Sequence, residues 1–309
     1  MHNSKHSNDA SKTPQALLKN CKFAYLSNST IIYQKDYQQE LLVINSPSCY
    51  AVIALQGGQL LEFKPNNDKH WLWLSPLASF KPGEAIRGGM PVCLPWFGVN
   101  QQQPDFPKHG IARTQIWQLT DIEEHDSHST VALELHYDGD SSEYVDHAFS
   151  CQLIFSLGSE LAVQIKIKNC DEQERSFSWA LHSYFAVEHS VKTQVLGLDK
   201  QDYLDNTQDL KLCQQAGAIV FAGEVDRVYE NTEAAQTIID QQQQLHIDGS
   251  NCPSCIIWNP GALAAMRVAD IKNHYHEFIC LERGCAFGDS LHLQSGETFD
   301  STMRVKKNA

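Results

Sequence analysis

The stretch Leu161-Ala-Val-Gln-Ile-Lys-Ile-Lys168 decides the fold class. Apolar side chains at Leu161, Val163, Ile165 and Ile167 occupy every second position, and both lysines fall on the opposite face. A period of two over this length is typical of a β-strand that buries one face and exposes the other.

The same period recurs along most of the chain. Other predicted strands are Glu40–Ile44, Ala51–Leu55, Leu60–Phe63, Ile116–Thr120, Val131–Tyr137, Cys151–Leu157, Phe177–Phe185, Val191–Val195, Leu245–Ile247, Ile256–Trp258, Phe278–Gly284 and Thr302–Val305. Only Pro14–Asn20, with Thr13 as N-cap and Pro14 at the first helical position, predicts a short helix. We therefore predict an all-β protein, a large antiparallel β-sandwich.

Composition fits one globular unit of 309 residues, with 42% hydrophobic and 20% charged residues. We expect a disordered tail over residues 1–20 and a single sandwich domain over residues 21–309, because no Pro/Gly/Ser-rich linker divides the chain. Residues 1–12 are polar and lack the apolar core of a signal peptide, which predicts a cytoplasmic protein. The apolar runs are too short for a membrane span.

The net charge of −13 argues against nucleic acid and anionic membranes as partners. A small anion remains a permitted ligand, because a few arginines dominate at contact distance. The ten cysteines are expected to be reduced and mostly buried. Cys252 and Cys255 have CxxC spacing, and a metal site with His274 and His276 is a weaker alternative because no second CxxC is present.

The segment Ile86-Arg-Gly-Gly-Met-Pro-Val-Cys-Leu-Pro-Trp-Phe-Gly98 predicts a rigid irregular loop, because its glycines and prolines interrupt any helix or strand. It carries one cation, Arg87, and two large rings, Trp96 and Phe97. One interpretation is a wall for a polar ligand. The other is a buried connection in which Arg87 meets an internal carboxylate and the rings pack in the core.

Two strands carry groups suited to proton transfer. In Phe177–Phe185, His182 shares a face with small side chains, where a ligand would have room. In Phe278–Gly284, Glu282 shares an apolar face, and burial would raise its pKa toward the range of a general base. The alternatives are a hydrogen-bonded structural histidine and a salt bridge from Glu282 to a buried Arg87 or Arg113.

Three further segments offer ligand-binding groups. Lys108–Arg113 combines His109 with two cations in a loop, but also fits a solvated basic loop. Asp226 stands beside Arg227 and could form only a surface ion pair. Trp258 could stack on a sugar ring or pack in the core.

Six segments in this order resemble the successive motifs of the aldose 1-epimerase (mutarotase) superfamily: Ile86–Gly98, His109–Arg113, Leu181–Phe185, Asp226–Tyr229, Trp258–Gly261 and Phe278–Gly284. The resemblance spans about residues 22–306 and is nearest to the glucose-6-phosphate 1-epimerase (hexose-6-phosphate mutarotase) branch; residues 285–295 do not align with it. It implies a galactose mutarotase-like supersandwich. It also implies an isomerase that interconverts sugar anomers without a metal or other cofactor.

The resemblance assigns a catalytic pair. His182 would be the general acid–base at the ring oxygen, and Glu282 would take the proton of the C1 hydroxyl. Asp226 would bind sugar hydroxyls and help to orient His182, and His109 would contact the sugar near the ring oxygen. Glu282 and Asp226 would keep His182 protonated in the resting state.

The resemblance also assigns a phosphate end. Arg87 and Arg113 would hold the 6-phosphate, together with Lys108, because forked guanidinium donors match a dianion. Trp258 would lie against the sugar. We therefore expect a monomeric epimerase of hexose 6-phosphates. The alternatives are a non-catalytic sugar-phosphate binding protein on the same fold and a mutarotase for a neutral aldose.

Overall fold

The computed structural model describes residues 13–139, 143–241 and 243–307. Over these residues the α-helices are α1 (Pro14–Leu18), α2 (Ser29–Ile32) and α3 (Gly261–Ala265), and 3₁₀ helices span Ala112–Thr114, Ser190–Lys192, Asn206–Gln208, Lys272–Glu277 and Phe287–Asp289. The strands are β1 (Ala24–Asn28), β2 (Glu40–Asn45), β3 (Cys49–Ala54), β4 (Gln59–Pro65), β5 (Val92–Cys93), β6 (Gln118–Glu124), β7 (His128–Tyr137), β8 (Phe149–Gly158), β9 (Leu161–Asn169), β10 (Arg175–Phe177), β11 (Trp179–Leu181) and β12 (Tyr184–Ala186). They continue with β13 (Gln194–Leu196), β14 (Asp202–Asp205), β15 (Lys211–Gln214), β16 (Ile219–Val220), β17 (Val225–Tyr229), β18 (Gln236–Ile239), β19 (Gln244–Ser250), β20 (Ser254–Asn259), β21 (Phe278–Cys285), β22 (Leu291–Leu293) and β23 (Thr298–Lys307).

Strand β9 is the predicted amphipathic strand and lies inside the largest sheet. Leu161, Val163, Ile165 and Ile167 are buried, and Lys168 is exposed. The nine-stranded sheet has the order β16-β13-β18-β19-β23-β9-β8-β7-β6. The period-two pattern therefore predicted both the strand and the face that it buries.

Three further sheets complete the architecture. An eight-stranded sheet has the order β15-β14-β17-β20-β21-β11-β5, with β12 also paired to β21. Strands β1-β2-β3-β4 form a four-stranded sheet, and β10 pairs with β22. The strand pairs of the described residues are antiparallel. The predicted all-β antiparallel sandwich is confirmed.

One apolar core joins the nine-, eight- and four-stranded sheets. It takes Ile165 from the first, Leu281 from the second and Ile53 from the third, with many neighbours. Alternation along β21 divides its side chains, since Ile279 and Leu281 enter this core while Phe278 and Cys280 pack on the opposite face. Because that opposite face is not used to join the sheets, it is available for a site.

Several strand limits differ from the prediction. The segment predicted as Val191–Val195 begins with a 3₁₀ turn, Ser190–Lys192, so strand β13 starts only at Gln194. The imidazole Nδ1 of His189 accepts a hydrogen bond from the backbone N–H of Val191 at 3.3 Å and caps this turn. Local capping here overrides the apolar alternation.

The segment predicted as Ile116–Thr120 is also displaced, because strand β6 runs from Gln118 to Glu124. The predicted strand Phe177–Phe185 is divided among β10, β11 and β12.

The N-terminal prediction is only partly within the described residues. Helix α1 is capped by the Thr13 hydroxyl, which accepts from the Ala16 N–H, and Pro14 stands at the first helical position as predicted. This helix lies inside the predicted tail over residues 1–20, while residues 1–12 are outside the described part. Among the helices described, none combines the length and apolarity needed to cross a bilayer.

Candidate active site

A cavity of about 380 Å³ opens on the face of the eight-stranded sheet that is turned away from the main core. Strands β17, β20 and β21 supply side chains to it, and loop residues at 97–113 and 206–210 complete its wall. All the side chains proposed from the sequence line this one cavity: Arg87, Lys108, His109, Arg113, His182, Asp226, Trp258 and Glu282. Their assembly is observed, and the role of each remains a prediction.

Two glycines fix the loop that carries Arg87. Gly88 and Gly89 have φ of +106° and +62°. A Cβ on Gly88 would lie 2.5 Å from the carbonyl oxygen of Trp73, and one on Gly89 would lie 2.3 Å from that of Leu60. No other residue fits so close to these carbonyls, so the backbone beside Arg87 is held against two neighbouring segments.

Arg87 meets an internal carboxylate and also lines the cavity. Its Nε donates to Oδ1 of Asp270 at 3.1 Å, and its Nη1 donates to the Tyr184 hydroxyl at 2.8 Å. The Ser75 hydroxyl donates to the carbonyl oxygen of Asp270 at 2.6 Å and holds that loop. Among the contacts of the described residues none engages Nη2 of Arg87, so its two N–H donors are available to a ligand. The carboxylate partner is thus Asp270 and not Glu282.

His182 and Glu282 face each other across neighbouring strands. The pairs Leu181 with Arg283 and Tyr184 with Cys280 flank them, so the register places His182 opposite Glu282. Nε2 of His182 lies 3.4 Å from Oε1 of Glu282. The His182 ring stacks on Tyr184 with centroids 4.9 Å apart. This brings an acid–base pair into the wall of the cavity.

The pair keeps unused hydrogen-bonding capacity. Glu282 is 1% exposed and His182 is 8% exposed. Nδ1 of His182 and Oε2 of Glu282 are buried and have no hydrogen-bond partner within the described residues. Buried polar atoms of this kind are costly unless a ligand or water satisfies them.

The expected charge of His182 is corrected by its surroundings. Burial, followed by the positive charges of Arg87 and Arg113, lowers the pKa of His182 to about 3. Burial, followed by the charge of Asp226, raises the pKa of Glu282 well above its ordinary value. Both shifts favour a neutral imidazole and a protonated Glu282 carboxyl.

His109 is positioned as a neutral hydrogen-bond donor. Its backbone has φ of +66°, and its Nδ1 accepts from the backbone N–H of Gly98 at 3.2 Å. Burial lowers the pKa of His109 well below its ordinary value. The neutral ring therefore carries its proton on Nε2. Its centroid lies 5.4 Å from that of His182.

The sequence of this chain is similar to those of known proteins. The sequence pattern of the family described as aldose 1-epimerase matches residues 40–306. The chain belongs to the aldose 1-epimerase family. Several relatives are named "Putative glucose-6-phosphate 1-epimerase". The relative from Salmonella typhimurium is 34% identical over 247 residues, which is 79% of this chain and 82% of that protein. The relative from Escherichia coli is 32% identical over 251 residues, which is 80% and 83%.

A solved structure supports the same relationship. The crystal structure of a "putative mutarotase" from Salmonella typhimurium has a TM-score of 0.80 and 30% identity to this chain. The alignment covers 87% of this chain and 91% of the Salmonella protein. The galactose mutarotase-like sandwich predicted from the sequence is confirmed for this aldose 1-epimerase family member.

Asp226 lines the cavity of this epimerase family member, but the predicted contact with His182 is not formed within the described part of the chain. Its Oδ2 accepts from Nδ2 of Asn206 at 2.7 Å, and burial raises its pKa to about 6. No hydrogen bond joins it to His182 within the described residues, so the expected orientation of His182 by Asp226 is not observed. Neighbouring Arg227 instead donates to Gln215 at 2.6 Å and lies over the Tyr203 ring, so no ion pair with Asp226 forms.

Three aromatic residues of the predicted segments, Trp96, Phe97 and Trp258, take different places, and Trp258 also packs against a core cluster. Trp96 packs against the main core, and its Nε1 donates to the Pro107 carbonyl oxygen at 2.9 Å. Phe97 lines the cavity and meets the His109 ring edge to face, with centroids 4.9 Å apart. Trp258 lines the cavity with its ring 6.0 Å from that of His182.

Sequence reasoning missed three supporting residues: Tyr184, Asn206 and Asp270. Tyr184 stands inside the Leu181–Phe185 motif and was the easiest of them to predict. Asn206 begins a 3₁₀ turn and Asp270 lies in a loop, and neither belongs to a recognisable motif. Each touches a predicted site residue through a contact that depends on the fold.

The alternative metal site at the CxxC pair is not assembled. Cys252 and Cys255 are buried and free. Within the described residues, the only group of three or more His, Cys, Asp or Glu side chains close enough for one ion is His182, Cys280 and Glu282. His274 instead contacts Glu277 at 2.8 Å.

Proposed function

We propose that this chain is a glucose-6-phosphate 1-epimerase, which interconverts the α and β anomers of hexose 6-phosphates. The observation that carries the proposal is the His182–Glu282 contact of 3.4 Å in a cavity that also contains three cationic side chains. The His182–Glu282 pair is suited to opening a sugar ring, and the three cationic side chains are suited to holding a phosphate dianion.

Ring opening needs two proton transfers. Glu282 takes the proton of the C1 hydroxyl while His182 gives a proton to the ring oxygen. The bond between C1 and the ring oxygen breaks and an aldehyde forms at C1. Rotation about the C1–C2 bond and reversal of both transfers close the ring as the other anomer. Each positioned transfer contributes about 10²- to 10⁴-fold to the rate.

The starting protonation state is compatible with these roles. The two residues share one proton. It lies either on Glu282, which leaves His182 neutral, or on His182, which leaves Glu282 ionised. A dianion beside Arg87 and Arg113 offsets the charges that lower the pKa of His182. Burial is the largest cause of the lowered pKa, so substrate binding shifts the pair toward the ionised form that the reaction uses without removing the effect of burial.

Other groups would bind the substrate. The Nε2–H of His109 can donate to an oxygen near the ring, and Asp226 can accept from sugar hydroxyls. Arg87, Arg113 and Lys108 would surround the phosphate. The side chain of Arg113 already donates to the Lys108 carbonyl oxygen at 2.5 Å, which holds the two cationic residues in one loop.

We also propose that residues 21–309 act as one domain and that the protein is a monomer that binds neither nucleic acid nor membrane. Light scattering after gel filtration would test the monomer directly. A mass of two or more chains would require revision of that part.

Anomer exchange of glucose 6-phosphate and of glucose, followed by NMR on the purified protein, tests the activity. We expect acceleration of both reactions, with kcat/KM higher for the phosphorylated sugar. Calorimetric binding of glucose 6-phosphate without faster exchange would instead identify a binding protein. Equal kcat/KM for the two sugars would identify a neutral-aldose mutarotase.

A further inference from the structure

Cys280 lies beside the catalytic pair but has no part in the proposed reaction. Cys280 is fully buried on β21. Together with Glu282 it lies on the face of that strand that is turned away from the main core. One imidazole nitrogen of His182, the Cys280 Sγ and one carboxylate oxygen of Glu282 all lie within 4.8 Å of one another. This is the only such set in the described residues.

We propose that His182, Cys280 and Glu282 form a binding site for a thiophilic divalent cation such as Zn²⁺, and that the bound ion blocks the catalytic pair. Imidazole, thiolate and carboxylate are the three ligand types that zinc takes in proteins. The fourth position would face the cavity and take water.

The spacing of the ligands suits a tetrahedral ion. With metal–ligand distances of about 2.0–2.3 Å, tetrahedral ligand atoms lie about 3.4–3.6 Å apart. Nε2 of His182 and Oε1 of Glu282 are already 3.4 Å apart. The three ligand atoms of the set lie within 4.8 Å of one another, so reaching tetrahedral spacing requires a shift of at most about 1.2–1.4 Å, which side-chain rotation can supply.

A second observation points to an absent ligand. Oε2 of Glu282 and Nδ1 of His182 are buried without hydrogen-bond partners in the described residues. A cation held by the Glu282 carboxylate can be bound by Oε2 as well as by Oε1, which would satisfy the unpartnered carboxylate oxygen.

Charge balance permits the ion despite the nearby arginines. A divalent cation bound by one thiolate and one carboxylate adds no net charge to the cavity. The ion displaces the thiol proton of Cys280 and any proton held by Glu282, and both protons pass to the solvent buffer. No electron transfer is involved.

Cobalt provides a direct test, because Co²⁺ bound by a thiolate shows a sulfur-to-cobalt charge-transfer band. We would titrate the untagged full chain with Co²⁺ alone, then displace it with Zn²⁺. We expect one ion per chain, the charge-transfer band and competitive inhibition of sugar exchange by Zn²⁺ that a chelator reverses.

Two cysteine variants separate this site from other thiols. In Cys280→Ala the band should vanish and affinity should fall by more than about 100-fold, because even residues that only support a ligand contribute about 10- to 100-fold. Cys255→Ala, which removes an equally buried thiol of the CxxC pair, should retain both.

The proposal is overturned if the wild-type chain binds no stoichiometric Co²⁺, if the band is missing, or if Cys280→Ala keeps it. Loss of the band in Cys255→Ala would move the site to the CxxC pair and also reject the proposal. The spectroscopic result does not depend on epimerase activity, so its failure is distinguishable from failure of the proposed function. Circular dichroism of each variant verifies that it is folded.

Discussion

Replacement of Arg87 by Met tests whether the cavity distinguishes a phosphorylated sugar from a neutral one. The substitution retains an unbranched apolar stem but removes the guanidinium. Arg87 has Nε and Nη1 occupied by Asp270 and Tyr184, so Nη2 is the group left for a ligand. We expect a selective loss of activity on glucose 6-phosphate.

The size of the loss follows from the lost hydrogen bonds. A hydrogen bond to a charged group contributes about 1.5–3 kcal/mol, so losing one lowers kcat/KM for glucose 6-phosphate by about 10- to 150-fold. The value for glucose should not fall, since glucose offers no charge to Arg87 and the substitution removes a charge that lowers the pKa of His182. Anomer exchange measured by NMR on both sugars gives the two ratios.

Two controls separate recognition from folding and from net charge. Arg87 and Asp270 are each 28% exposed, so loss of their ion pair should cost no more than about 1 kcal/mol of unfolding free energy. Loss of the Nη1 donor to the buried Tyr184 hydroxyl should add about 1–3 kcal/mol. Arg304→Met removes the same charge from strand β23, where Arg304 is 53% exposed, and should leave both substrates unaffected. An equal loss on glucose and glucose 6-phosphate in Arg87→Met would refute the assignment of Arg87 to the phosphate.

Three other substitutions test the reaction and the framework around it. Glu282→Gln should lower anomer exchange by about 10²- to 10⁴-fold while calorimetry still detects glucose 6-phosphate binding, and an unchanged rate would remove Glu282 from the mechanism. Gly89→Ala should lower the denaturant midpoint, because its Cβ would meet the Leu60 carbonyl oxygen at 2.3 Å; an unchanged midpoint would show that the loop adjusts freely. Arg283→Met should cost about 2–5 kcal/mol of unfolding free energy, because buried Arg283 donates to the carbonyl oxygens of Thr232 and Cys252 and both would lose a donor. Urea titration measures the last two, and a cost below 1 kcal/mol for Arg283→Met would indicate that water replaces the guanidinium.

The strands that could be predicted are those in which alternation and burial agree. Strand β9 shows one apolar and one charged face, and Phe278–Gly284 is recognisable as an apolar run. The short strands β14 to β18 were missed because only two to five residues form each one. Their pairing depends on the neighbouring strands more than on a local pattern.

Much of the candidate site was predictable because its groups lie in recognisable segments. Their grouping depends on pairing between distant strands, which places His182 opposite Glu282. Asp270 and Asn206 were not predictable, because the sequence around an isolated polar residue does not show whether its side chain contacts solvent or a site residue. Their importance arises only from contacts with Arg87 and Asp226.

The charge of His182 shows most clearly what a linear sequence leaves out. The nearby acids Glu282 and Asp226 suggested an imidazolium, but His182 is buried and shares its cavity with Arg87 and Arg113, and these effects lower its pKa. The cations that would hold a phosphate therefore oppose the protonated state that His182 needs as an acid. A bound dianion offsets that opposition, whereas a neutral sugar does not. If the phosphate binds where we propose, its charge contributes to ring opening as well as to affinity, and the preference for a phosphorylated sugar should appear in kcat as well as in KM.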